Sequence, residues 1–193
     1  TTLAIAFESV PVKFSPITAL FVTSAVDVNS RVSNVTGDAG LDLFVPETIT
    51  VPAKAIGFNT VFFDPYKEQG HEKIVSAYRC NDLGEFLSNA DIISINAVLT
   101  EETKSMVDNQ FVERMKNGSY LINTARGKII DNLDIFIKPI KAGKISGIGL
   151  DVLPDEPPNK QSELTNSWLS SESWTAGKVI INPHAGYYSQ ESY

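Results

Sequence analysis

The chain has 193 residues, 42% of them hydrophobic and 20% charged, which suits one globular domain with a substantial core. A net charge of −7 excludes direct nucleic-acid binding through a basic face. No apolar run approaches the roughly 20 residues that cross a bilayer, and the single cysteine, Cys80, excludes an internal disulfide.

Thr1 to Val12 lacks the basic start and cleavage site of a secretory leader. With one cysteine, this leads us to expect a reducing, cytoplasmic or nucleocytoplasmic setting, where the sequon at Asn34 stays unmodified.

Residues 1–52 carry short β-rich runs, Leu3–Phe7, Ala19–Val22 and Thr48–Val51, punctuated by Pro11, Pro16, Pro46 and Pro52. That pattern predicts antiparallel strands. From Ala53 the chain changes to alternating strands and helices, the sign of a parallel sheet with crossover helices. Ala53–Gly57 reads as a helix end, and Thr60–Phe63 as a strand ending on Asp64. Asp82 is placed to cap a short helix towards Asn89, and Asp91–Ile95 is the next strand. Thr100 with Glu101 and Glu102 has the acidic first turn of a helix, and Phe111, Val112 and Met115 form a buried helical stripe.

Tyr120-Leu-Ile suits a buried strand and breaks into the polar turn Asn123-Thr-Ala-Arg-Gly127. A helix is expected from Asp131 to Ala142, closed by Gly143, with Pro139 kinking it at a cost of about 3 kcal/mol. Ile145–Leu150 and the run beginning at Lys178 are further strands, and Ser162–Ser173 reads as a surface loop or short helix. The expected fold is α/β, a Rossmann-like parallel sheet with crossover helices over residues 53–193, preceded by a β-rich segment over 1–52.

Three of these strands end in different reactive groups: Arg126, the acids of Asp151-Val-Leu-Pro-Asp-Glu156, and His184 in Pro183-His-Ala-Gly-Tyr-Tyr-Ser189. Open α/β sheets bind ligands at the carboxyl ends of their strands. There an arginine grips a carboxylate with two parallel hydrogen bonds, and a histidine moves protons near neutral pH. In order and spacing the set resembles the D-isomer-specific 2-hydroxyacid dehydrogenases over about residues 53–193. Pro-His-Ala-Gly-Tyr-Tyr-Ser is most similar to the version found in C-terminal binding protein corepressors.

The resemblance implies an NAD-dependent oxidoreductase acting on a small 2-hydroxy or 2-keto acid, with no metal, no direct nucleic-acid partner and no membrane. A homodimer is compatible with it. His184 takes the proton-transfer role, Glu156 stabilises the charged ring and Arg126 holds the substrate carboxylate. Asp64 falls on the adenosine ribose, Thr124 and Ala125 on the nicotinamide, and Asp151 on its carboxamide. Asn96-Ala97 departs from the family's usual His-x-Pro.

The family's Gly-x-Gly-x-x-Gly turn is missing, and its position before the Ala53–Gly57 turn holds Thr48–Pro52. That loss implies that NAD binding is weak or lost. The family's substrate domain is not recognised either. The chain is therefore expected to be impaired, and the alternative is a non-catalytic fusion, chimera or corepressor-like scaffold. Gly37-Asp-Ala-Gly-Leu-Asp-Leu-Phe44 and the run to Pro52 resemble the first motif of trimeric dUTPases, which implies a second alternative, a nucleotide hydrolase. Because the first strand of a doubly wound sheet is central, an N-terminal run, Ala19–Val22 or Leu3–Phe7, is expected to fill its place.

Overall fold

In chain order the apolar runs form β1 (Thr18–Ser24), β2 (Asn59–Phe63), β3 (Tyr78–Arg79), β4 (Ile92–Ala97), β5 (Ser119–Asn123), β6 (Ile145–Leu150) and β7 (Val179–Ile181). The computed structural model describes residues 18–24, 58–156, 162–182 and 184. Within them the strands make one sheet in the order β3-β2-β1-β4-β5-β6-β7. Every neighbouring pair is parallel.

β1 is the central strand, with Leu20 opposite both Val61 of β2 and Ile93 of β4. The N-terminal run Ala19–Val22 thus fills the position that would otherwise leave two rows of backbone groups unpaired. Its direction corrects the antiparallel expectation for this run. Strand direction is set by the connection rather than by the run itself. The stretch from β1 to β2 is long enough for the crossover that parallel strands require. Leu3–Phe7, Thr48–Val51 and Ala53–Gly57 lie outside the described residues.

The helices are short: α1 (His71–Ile74), α2 (Leu83–Asn89), α3 (Asn109–Arg114), α4 (Ile137–Lys141) and α5 (Glu163–Leu169). Their starts are written in the sequence. Asp82 accepts from Glu85 N–H at 2.8 Å, Asp108 from Phe111 N–H at 2.8 Å, and Ser162 from Thr165 N–H at 3.0 Å. Each such cap stabilises its helix by about 1 kcal/mol. Phe86, Leu87, Phe111 and Val112 turn their apolar sides inward from α2 and α3. They join Ile93, Ile95, Leu121, Ile148 and Leu150 from the sheet in one core. Alternate residues of β5 and β7, Tyr120 and Ile180, are exposed on the opposite face.

Two helical expectations are corrected. Thr100 heads a turn, not a helix, because Thr103 Oγ1 donates to Val98 O at 2.6 Å and accepts from Thr100 N–H at 2.8 Å. These hydroxyls satisfy the loop locally and remove the incentive to continue as a helix. The helix expected over Asp131–Ala142 is split into a 3-10 turn, Leu133–Phe136, and α4. Pro139 therefore stands in the first turn of α4, where its missing N–H has no intrahelical partner, and the expected cost of a lost hydrogen bond does not arise. Gly143 closes α4 at φ +73°. Lys144 N–H donates to Pro139 O at 2.9 Å, the pattern of a glycine-closed helix end.

Candidate active site

Because every strand runs the same way, the carboxyl ends of β1, β2, β4, β5, β6 and β7 share one edge of the sheet. Asp64, the turn after Asn123, Asp151 and His184 follow strand ends there, and Asn96 is the penultimate residue of β4. The chain proceeds outward from β1 through β2 and β3, then returns to β4 on the other side. The reversal point is therefore between β1 and β4, where such sheets bind dinucleotides.

The turn after β5 is built by Asn123, which is fully buried. Its Oδ1 accepts from Ala125 N–H at 3.0 Å and its Nδ2 donates to Arg126 O at 3.0 Å. The side chain thus spans the turn and fixes where Arg126 leaves it. The Arg126 guanidinium is half-buried and donates to Ala125 O at 2.8 Å. Thr124 is exposed and Ala125 buried. A Cβ on Gly127 would lie 1.8 Å from the backbone oxygen of Leu153, so only glycine permits this contact between the β5 and β6 loops. On the other side, Ser105 N–H donates to Lys128 O at 2.9 Å, and Val107 N–H to Ile129 O at 3.0 Å.

The structure brings His184 and Glu156 together: Nδ1 of the ring is 2.7 Å from Oε2 of the carboxylate. Oε1 of Glu156 accepts from Leu153 N–H at 2.6 Å, which orients the acid. His184 N–H donates to Asp151 O at 2.9 Å. The histidine takes a left-handed φ of 56°, a conformation that costs a non-glycine residue about 1–3 kcal/mol and clusters at functional sites. The acid on Nδ1 fixes the orientation of the ring.

At the other end, Asp64 is buried, and its Oδ1 accepts from Tyr66 N–H at 2.9 Å. Asn96 is 9% exposed; its Nδ2 donates to Ser94 O at 3.2 Å, while its buried Oδ1 has no hydrogen-bond partner among the described residues. An orphaned acceptor next to the reversal point suits a site that receives hydrogen bonds from a ligand. The Tyr66 hydroxyl donates to the Glu102 carboxylate, linking the loops after β2 and β4. That bond and the charges of Glu102 and Asp64 raise the Tyr66 pKa above its usual 10.0.

Sequence reasoning missed three of these features. The bracing role of Asn123 and the close approach at Gly127 lie inside the motif, and their signals were the amide and glycine flanking Thr-Ala-Arg. The Tyr66–Glu102 link joins residues 36 apart and has no local signal. His71 stacks edge-on to Phe62 at 5.8 Å with Nε2 buried. Tyr187, Tyr188 and Asp42 lie outside the described residues.

Comparisons with known proteins agree with this fold. The sequence matches the family D-isomer specific 2-hydroxyacid dehydrogenase, NAD binding domain, over residues 36–186. A Schizosaccharomyces pombe protein named as a 2-hydroxyacid dehydrogenase is 48% identical over 106 residues, which is 54% of this chain and 28% of that protein. Another from the same yeast, named as a D-3-phosphoglycerate dehydrogenase, is 35% identical over 150 residues, 75% of this chain and 31% of that one. The chain thus spans under a third of the length of these curated relatives.

Among solved structures, apo D-mandelate dehydrogenase of Rhodotorula graminis superposes with a TM-score of 0.67 at 24% identity, over 92% of this chain and 44% of that one. D-lactate dehydrogenase of Aquifex aeolicus, solved with NAD and lactic acid, gives a TM-score of 0.65 at 27% identity, over 90% of this chain and 48% of that one. With most of its length matched, this chain belongs to the D-isomer specific 2-hydroxyacid dehydrogenase family, within that family's NAD-binding domain.

Proposed function

We propose that the chain is the cofactor-binding part of an NAD-dependent dehydrogenase that interconverts a small 2-hydroxy acid and its 2-keto acid, with a weakened hold on the cofactor. The observation that carries this reading is the His184–Glu156 pair at the carboxyl edge of a parallel sheet. Arg126 binds the substrate carboxylate through its planar fork. His184 takes the 2-hydroxyl proton at Nε2, and Glu156 holds the other ring nitrogen and stabilises the charge that develops. Bound NAD supplies the acceptor for the hydride that leaves C2.

The residues present fit the two ends of that cofactor better than its middle. In this reading Asp151, Thr124 and Ala125 take the nicotinamide side, and Asp64 takes the adenosine side with Asn96, whose Oδ1 has no partner among the described residues. Thr48–Pro52, which takes the place of the family's Gly-rich turn, holds no glycine to present amides to the pyrophosphate. Each hydrogen bond to a charged group contributes about 1.5–3 kcal/mol, so losing two or three weakens binding by about a hundredfold or more.

Calorimetric titration with NADH tests the reading. Saturable binding weaker than micromolar, reduced further in Asp151→Ala, is the expected result. No heat at millimolar NADH overturns the cofactor reading, and micromolar or tighter binding overturns the weakened hold.

A further inference from the structure

A closed ring of contacts runs through both halves of the site. From Arg126 it passes by the amide of Asn123 to the Asn123 backbone, whose carbonyl accepts from Asp151 N–H at 3.0 Å. Asp151 O then accepts from His184 N–H, His184 Nδ1 meets Glu156, and Glu156 accepts from Leu153 N–H. Leu153 packs its backbone onto Gly127, the residue after Arg126, and the ring is complete.

We propose that Asn123 and Gly127 are positioning residues that lock the arginine turn and the acid–histidine pair into one unit. The purpose of the unit rests on the dehydrogenase reading; its geometry does not. In a 2-hydroxy acid the carboxylate and the reacting hydroxyl sit on adjacent carbons. The groups that hold them must keep a fixed separation, because a misplacement of about 1 Å can cost about a hundredfold in rate. Neither half could hold that separation alone, since Arg126 and His184 stand on loops after different strands. Asn123, buried, sets the arginine turn from within, and Gly127 sets how closely the β6 loop approaches it. Gly127 has no left-handed φ, so an alanine there meets no backbone strain. Its whole effect is to push Leu153 away.

The test uses the full chain without cofactor and reads the His184 tautomer by 15N NMR with the ring neutral. In the parent protein Glu156 holds the proton on Nδ1. Gly127→Ala is expected to shift it towards Nε2, as Glu156→Ala does, and the double variant to show no further change. An unchanged tautomer in Gly127→Ala, or additive shifts in the double variant, overturns the proposal. If Gly127→Ala does not fold by circular dichroism, Asn123→Ser takes its place in the same cycle with the same two deciding outcomes. A chain that binds no NADH yet gives the non-additive cycle upholds the coupling and fails only the dehydrogenase reading.

Discussion

Nδ1 of His184 stands 2.7 Å from Oε2 of Glu156 although 28 positions separate the two residues. The intervening chain includes α5 and β7, so the contact is made by tertiary structure, not by local sequence. About a third of each side chain remains exposed, 37% for the histidine and 34% for the acid. A pair this open contributes about 0–1 kcal/mol to stability. What it does is orient the ring.

Glu156→Gln should therefore change unfolding free energy by less than about 1 kcal/mol. Urea denaturation followed by circular dichroism checks this. A loss of several kcal/mol would mean that the acid serves the fold through Leu153 rather than the histidine.

The core behaves differently. Phe86 is fully buried between α2 and the sheet, and it touches Phe63 with ring centroids 6.0 Å apart. Phe86→Ala should destabilise by about 3–5 kcal/mol through lost burial and the cavity left behind. Tyr78→Ala, on the exposed edge strand at 65% exposure, should stay within about 0.5 kcal/mol. Equal losses at the two sites would contradict the placement of the core.

Most strands and the Asp82 cap were legible in the sequence because each depends on local chemistry, apolar runs and an Asp before a helix, whereas the acid–histidine partnership was legible only through the resemblance of its two motifs to a known family. Two kinds of feature were not. The direction of Thr18–Ser24 depends on the connection that follows it, which the run itself does not encode. The split at Leu133–Phe136 depends on Asp134 Oδ1 accepting from Leu164 N–H at 3.0 Å, a contact 30 residues away. Asn123 was visible as a turn residue, yet its bracing of Arg126 required knowing that it is buried.

Cys80 gives a prediction in pH. Burial first, then the nearby charges of Glu85 and Asp82, push its thiol up to about 11 from 9.0. The fold thus holds the proton where the unfolded chain releases it. The associated stability is complete below about 9.0 and is lost as pH rises towards 11. Unfolding free energy should fall across that window, and Cys80→Ala should flatten the fall. The thiol should also resist alkylation at neutral pH, because the thiolate is the nucleophile. Rapid modification by iodoacetamide in the native protein would refute this.

The last prediction concerns the bond from the Tyr66 hydroxyl to Glu102. Tyr66 follows β2 and Glu102 follows β4, and β1 lies between those strands, so the link spans about two strand spacings across the end of β1. That is the crevice in which we place the middle of the dinucleotide. The bond also sets a negative carboxylate near the expected path of a pyrophosphate, where charge repulsion opposes entry. Tyr66→Phe should open the link while the carboxylate remains; Glu102→Gln removes the charge as well. Both should bind NADH more tightly than the parent chain, with the larger gain in Glu102→Gln. The gain in Glu102→Gln should shrink as salt rises, because screening weakens exposed charges. The Tyr66 hydroxyl ionises above 10.0, so the Tyr66→Phe effect should be flat across neutral pH. Titrating NADH into the three proteins at low and high salt decides the matter. Weaker binding in either variant would show that the link supports the cofactor site instead of closing it.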